Sequence, residues 1–383
     1  MTPIRFCSIV TMMLLVLPAF LAGNDETINQ VQEKEAPTDS KLVENAVDRL
    51  LELQHDDGAW PYEGVYRVRG KIPTGYRIGG TAIVCSALLS SGQPTDKIRD
   101  AVGRGIDLIL KELENREMRP SKVSRYDVRI WGHIYALDLF CRIEKTKGFD
   151  SLQEKTKGKI QEMVDAVVFQ EIKNGGWNYA NKVRHCCFVT GPAVQSLLLA
   201  KECGADVPDE VLSRSVKVLE DSRHDEGVYP YTGTSRRGDT QAGSIARGPV
   251  SETTLMLLGK GDPSKLKFAI DSFHENWDEL EKRRKKTGTH KPPHGIAPYY
   301  FYYGHRYAAQ GIRLLDSNDR SKEFERFKKA LLKTKDPDNT WNDRVFEQSK
   351  AYGTAMSVLS LAQENVVMPK TIKVKAESNS DKD

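Results

Sequence analysis

Two pentapeptides carry the residue types most able to do chemistry: Gly132-His133-Ile134-Tyr135-Ala136 and Gly304-His305-Arg306-Tyr307-Ala308 share the pattern G-H-x-Y-A. An imidazole titrates near neutrality, and a helix N-terminus disfavours its protonated form, so His133 and His305 suit the role of neutral general bases. Three repeat units apart in a six-unit ring, they are expected to face each other across a cavity mouth. Packed histidines that donate to loop carbonyls produce the same pattern. Tyr303 closes the run Pro298-Tyr299-Tyr300-Phe301-Tyr302-Tyr303 and is a further candidate for proton transfer. The faces of that run can hold a sugar ring or an apolar chain and can stabilise a cation, or they can simply pack a long loop.

Arg77, Arg129 and Lys350 each stand three residues before a helix-leading glycine, with Arg184 and Arg247 in comparable approach loops. Backbone donors at helix N-termini already favour anions, so Arg77, Arg129 and Lys350, together with Tyr307, are the candidate ligand-binding residues. Scattered surface arginines are the plainer alternative. Arg184-His185-Cys186-Cys187 invites a metal or thiolate reading, but no further ligands stand at a recognisable spacing, so buried or redox-paired thiols fit better. No metal site and no cofactor is expected. Lys282-Arg283-Arg284-Lys285-Lys286 ends an outer segment, where cations complement the helix dipole on a solvated face.

The elements that must position these residues repeat. Glycine opens a small-then-apolar helical segment at Gly80, Gly132, Gly191, Gly248, Gly304 and Gly353, at steps of 52, 59, 57, 56 and 49 residues. Proline early in two of these, Pro192 and Pro249, is tolerated where the missing donor has no partner to lose. A more charged amphipathic segment precedes each: Leu42 to Gln54, Ile98 to Glu114, Lys157 to Gln170, Glu210 to Ser222, Leu266 to Arg283 and Glu323 to Lys335. The predicted class is all-α, with six outer and six inner helices. Gln54 to Trp60 and Gln170 to Trp177 both join outer to inner segments with a glutamine followed by G-x-W, and Gly227-Val228-Tyr229 and Asn339-Thr340-Trp341 echo them. Gln can bond carbonyls at a helix end, Gly supplies the turn, and the indole packs between neighbours.

The chain has 383 residues, 39% hydrophobic and 29% charged, which excludes a disordered chain and a multi-span transporter or channel. A formal charge of +4 on 57 basic and 53 acidic residues gives no electrostatic case for nucleic acid. Residues 1–23, with Arg5 before the apolar run Cys7 to Leu21, read as a secretory signal peptide, so the protein is expected to be secreted or periplasmic, with no integral membrane domain after cleavage. Its loss leaves Cys85, Cys141, Cys186, Cys187 and Cys203, an odd number that leaves at least one thiol free or paired between chains. Residues 24–40 read as a polar linker and 366–383 as a disordered tail.

The QW-type loops, the repeat period and the paired helices resemble the QW-repeat superfamily of squalene-hopene cyclases and protein prenyltransferase β-subunits, as a secreted bacterial relative, over roughly Lys41 to Asn365. The resemblance implies an α/α toroid of six helical hairpins, here residues 41–365, around a central cavity. Class II cyclases carry D-x-D-D-T-A at an inner-helix start, where an aspartic acid protonates the isoprenoid. The local match, Arg77-Ile78-Gly79-Gly80-Thr81-Ala82, keeps Thr-Ala and has glycine where the acids belong. Asp56-Asp57 and Asp336-Pro337-Asp338 lie in loops, and the prenyltransferase zinc set is not recognisable. The expectation is a cavity that binds a small-molecule, lipid or glycan ligand without that protonation chemistry. Two alternatives stand beside it. In a lyase or hydrolase acting on an acidic glycan, Arg129 or Arg77 would neutralise a uronate and His133, His305 or Tyr303 would remove a proton. In a protein-interaction scaffold, the ring surface would be the interface.

Overall fold

The computed structural model describes residues 38–64, 70–92, 94–123, 128–179, 182–234 and 239–374; the expected signal peptide lies outside them. Among them run α1 (Asp39–Glu52), α2 (Thr74–Leu89), α3 (Asp96–Leu113), α4 (Arg129–Lys145), α5 (Asp150–Phe169), α6 (Cys187–Glu202), α7 (Asp209–Ser222), α8 (Gln241–Ser244), α9 (Arg247–Leu257), α10 (Pro263–Glu275), α11 (Trp277–Glu281), α12 (Tyr300–Ile312), α13 (Ser317–Leu332) and α14 (Ser349–Leu361). The described residues form no sheet, only isolated pairings such as Lys291 with Ile296. None of their helices is long and apolar enough to cross a membrane.

Hydrophobic patterning sorts these helices into two layers. In α1 only one stripe is buried, Leu42, Val43, Ala46, Val47 and Leu50, which places it outside with α3, α5, α7, α10 and α13. In α2, α6 and α14 nearly every residue is buried, as for helices packed on both sides. The inner helices α2, α4, α6, α9, α12 and α14 pack in succession, and α14 packs back on α2, closing a ring of six hairpins. Lys328 of α13 reaches Asp39 of α1 at 3.1 Å across the same closure.

One repeated device ties outer to inner layer. The indole Nε1 atoms of Trp60, Trp177 and Trp341 donate to Leu50 O, Val167 O and Leu331 O at 2.7, 2.8 and 3.3 Å, each ten residues back at the end of an outer helix. Their backbone N–H groups donate to Thr81, Thr190 and Thr354 hydroxyls at 2.9, 3.1 and 3.0 Å, and Tyr229 N does the same to Ser244 at 2.9 Å. Each tryptophan loop therefore satisfies a carbonyl at the end of its outer helix and anchors its own backbone to a hydroxyl of the inner one. Close approach explains the glycines beside two of these threonines: a Cβ on Gly80 would lie 2.5 Å from Trp60 O, and one on Gly353 2.3 Å from Trp341 O. The spacing slips elsewhere, for Thr190 precedes Gly191 and Ser244 precedes Gly248 by four residues. Because α6 starts at Cys187, Pro192 lies past its first turn, not at the tolerant position expected of it.

Both ends of the domain differ from expectation. Thr38 caps α1, so the helix begins inside the stretch read as a linker to residue 40. Residues 366–374, expected to be disordered, run as an extended strap along the C-terminal ends of the inner helices. Arg142 donates to Val367 O at 2.6 Å, Arg313 to Val366 O at 2.7 Å, and Ile372 N donates to Leu257 O at 2.9 Å. Val366 and Val374 also join the core, with Val367, Met368 and Ile372 packed against it, so apolar residues spaced for an extended segment and not for a helix hold the strap down.

Candidate functional site

Where the inner helices begin, the ring encloses a cavity of about 190 Å³. Helical spacing builds its walls. Tyr299 and Tyr303 stand four residues apart on one face of α12 and its approach, Trp131 in the first turn of α4, and Tyr76 and Tyr352 in the first turns of α2 and α14. Tyr62 packs on Tyr352 at 4.4 Å and on Tyr76 at 5.2 Å between ring centroids, and Tyr76 meets Trp131 edge-on at 5.4 Å. On the opposite side the Tyr231 and Tyr299 hydroxyls lie 3.0 Å apart, and Phe188 backs Tyr303 at 4.8 Å. Pro192 contributes here. It cannot donate to Phe188 O one turn earlier in α6, and that carbonyl accepts the Tyr303 hydroxyl at 3.0 Å.

Among the described residues, the charge in this cavity comes from the loop between α13 and α14. Asn342 fixes it, its Oδ1 accepting from Arg344 N at 2.9 Å and its Nδ2 donating to Phe346 O at 3.0 Å, an Asx turn. Arg344 lines the cavity with 1% exposure, and none of its three guanidinium nitrogens has a hydrogen-bond partner. Its guanidinium carbon sits 5.4 Å from the Phe346 ring centroid. Asp343 beside it is fully buried with both carboxylate oxygens unpaired, and burial outweighs the pull of Arg344 to push its carboxyl up to about 7. Burial, then Tyr62 and Asp343, raise the Tyr352 hydroxyl of the cavity wall well above its ordinary value. The helix N-termini converging here reinforce the positive field of Arg344.

The predicted site residues are scattered. His133 and His305 do not face each other across the cavity; each follows its glycine by one position and turns outward. Gln170 at the end of α5 bonds His133 Nδ1 at 2.8 Å, while His305 Nε2 accepts from Trp277 Nε1 at 2.9 Å and Nδ1 meets Phe301 O at 2.7 Å. Burial holds the His305 ring neutral, down to about 3. Tyr303 does line the cavity, but burial raises its phenol well above the ordinary value, which suits a hydrogen-bonding group and not a base. Arg77 is committed to Asp57 at 2.7 Å and Glu112 at 3.2 Å, and Lys350 to Glu347 at 2.6 Å and Asp338 at 3.1 Å. Arg129 donates to Arg119 O. These three cations therefore do not gather into the expected anion site. Tyr307 is inward but belongs to a second, deeper cavity. Cys186 and Cys187 are buried with raised pKa values, Cys187 at about 11, and have no thiolate character.

Arg344, Asp343, Trp131, Tyr62, Tyr76 and Tyr352 were not among the candidates. The four-residue spacing of Tyr299, Tyr303 and Tyr307 and of Trp131 and Tyr135 was the available signal. No residue type distinguishes Arg344 from the paired arginines.

No family model matches this chain, and no curated protein does. Solved structures do resemble it. A variant of the type II terpene cyclase MstE from Scytonema, in complex with geranylgeranyl dihydroxybenzoate, aligns with a TM-score of 0.54 at 14% identity, covering 85% of this chain and 97% of that one. An inactive variant of an alpha-1,6-mannanase of Salegentibacter, in complex with alpha-1,6-mannotriose, aligns with a TM-score of 0.56 at 14% identity, covering 85% and 99%. The fold is an α/α toroid. At such identity the likeness speaks for the fold alone, and the site must be read from this toroid's own residues.

Proposed function

We propose that this chain is an exported toroid protein that binds, at the aromatic cavity, a ligand presenting one six-membered ring and a negative charge. The observation that carries the reading is Arg344, a buried guanidinium without a hydrogen-bond partner in the wall of an aromatic chamber. A buried cation left so is costly, and an incoming carboxylate or phosphate relieves that cost through charge-assisted hydrogen bonds. A cavity of about 150 Å³ accommodates benzene; this one, at about 190 Å³, has room for a ring with one charged substituent. The lipid and glycan versions of such a ligand are an aromatic acid carrying a prenyl chain and a terminal uronate. The fold neighbours were solved with a prenylated dihydroxybenzoate and a mannose oligosaccharide.

Class II protonation is not part of this proposal, because Gly79 and Gly80 leave the α2 start without an acid. Enzyme readings that use His133 or His305 as the base draw no support from rings turned toward the outer helices. The test is titration of purified protein with geranylgeranyl dihydroxybenzoate, with glucuronate oligosaccharides and with uncharged mannotriose, followed by tryptophan fluorescence and product analysis. One anionic class should bind, mannotriose should not, and Arg344→Gln should weaken binding by about 1.5 to 3 kcal/mol, roughly 10- to 150-fold. Equal binding by native and variant protein would remove Arg344 from the site and with it the reading.

A further inference from the structure

Deeper in the ring, toward the C-terminal halves of the inner helices, lies a second cavity of about 30 Å³. Tyr135 and Tyr307 stand between it and the aromatic chamber: both line the deeper cavity, and each packs against a ring of the upper one, Tyr135 edge-on to Trp131 at 4.8 Å and Tyr307 tilted against Tyr303 at 4.6 Å. Among the described residues, three charged groups line it, Asp138, Arg142 and Arg306. Arg142 grips Asp138 through two hydrogen bonds, at 2.5 and 2.9 Å, and uses its third nitrogen on Val367 O. That pair is self-neutralising. Arg306 is 4% exposed, and its Nη1 has no partner. Burial and the repulsion of Arg142 bring its guanidinium down to about 10, which leaves it charged at neutral pH. The hydroxyls of Ser86 and Tyr135, also buried and without a partner, line the same cavity.

The cavity therefore carries one uncompensated positive charge with a spare N–H on Arg306 and spare O–H groups on Ser86 and Tyr135. All three are hydrogen-bond donors, and a water would satisfy geometry without neutralising charge. We propose that this cavity is a small-anion site, in which Arg306 and Ser86 hold one monovalent anion, chloride or a one-carbon carboxylate, at the centre of the ring. The volume exceeds the roughly 10 to 15 Å³ that a single water needs, so it admits an anion of one to three heavy atoms. A ringed ligand does not fit, so this site is separate from the one at Arg344.

The experiment is thermal unfolding of the full chain at fixed ionic strength while sodium gluconate, too large for the cavity, is replaced by sodium chloride or by sodium formate. The expected result is a saturable rise in Tm with at least one of the two, abolished in Arg306→Gln and diminished in Ser86→Ala. The arm that responds tells halide from carboxylate. Arg344→Gln should keep the full response; a response lost in that variant and kept in Arg306→Gln would place the ion in the aromatic chamber and overturn the inference. No response to either ion in the native chain would overturn it equally. Should Arg306→Gln fail to fold, crystals of the native chain soaked in the responding ion decide, with bromide standing in for chloride and read by its anomalous signal, or formate read in difference density: the ion in contact with Arg306 Nη1 supports the site and its absence sinks it.

Discussion

Asp343 makes the pH dependence of folding a direct test of the site's electrostatics. Its carboxyl titrates from an ordinary 3.8 in the unfolded chain to about 7 in the fold, because desolvation opposes the charged form more than Arg344 favours it. The folded state binds more protons than the unfolded one between these values, so this group lowers stability as pH rises from about 4 to about 7, with no further change above. Each pH unit corresponds to about 1.4 kcal/mol, so the full window amounts to about 4 kcal/mol. Asp343→Asn keeps the shape and removes the titration. Urea denaturation of native and variant chains from pH 4 to pH 9 gives the difference curve, in which the other carboxylates cancel. The variant should match the native chain near pH 4, gain on it steadily to pH 7 and hold a constant advantage beyond. A flat difference would refute the reasoning, since it would mean that the native carboxyl is already ionised and solvated at pH 4.

Three further perturbations probe the frame around the cavity. Gly79→Ala would bring a Cβ within 2.4 Å of the Trp131 ring, so stability should fall by about 1 to 3 kcal/mol and tryptophan emission should shift as the ring moves; an unchanged spectrum and denaturation midpoint would contradict the packing. Thr354→Val leaves the buried Trp341 N–H without its acceptor, at a cost of about 1 to 3 kcal/mol that Thr354→Ser should restore. His305 is neutral in the fold at about 3 and about 6.5 when unfolded, so it contributes acid sensitivity, with stability lost as pH falls below 6.5; His305→Gln should reduce that loss and leave ligand affinity unchanged, and a changed affinity would return His305 to the site.

The residues themselves explain why the fold was legible and the site only partly so. Ring architecture follows from local rules that each stretch of sequence states for itself. A one-sided apolar stripe makes α1 an outer helix, near-continuous apolarity makes α6 an inner one, and a Trp ten residues past an outer-helix carbonyl joins the layers. The direction of a side chain around the ring axis depends on helix phase. His133 and His305 stand one residue past their glycines and point out, while Tyr135 and Tyr307, two residues further, point in. Pairing is less local still. Arg77 and Arg344 are alike in sequence, and only the placement of Asp57 and Glu112, 20 and 35 residues from Arg77 along the chain, shows that one is neutralised and the other is not.

Charge placement also bears on how such a ring can be turned to a particular ligand. The inner-helix starts are fixed by packing: glycine at 80 and 353 is required by loop backbone, and the threonines beside them are engaged by tryptophan N–H groups. Aromatic residues one turn away shape the chamber without taking part in those joints. A charged group placed on these helices at the joint would disturb the ring, whereas one placed in a connecting loop would not. Arg344 and Asp343 lie in such a loop, held by Asn342 and free of the Trp341 to Thr354 joint that precedes it. The geometry thus separates two tasks, with helix starts supplying shape and field and one loop supplying the charge that an anionic ligand would meet. Transplanting that division to ligand choice is direct: changes at 342–346 should alter affinity and pH response with little effect on ring closure, and changes at Gly80, Thr81, Gly353 or Thr354 should do the reverse.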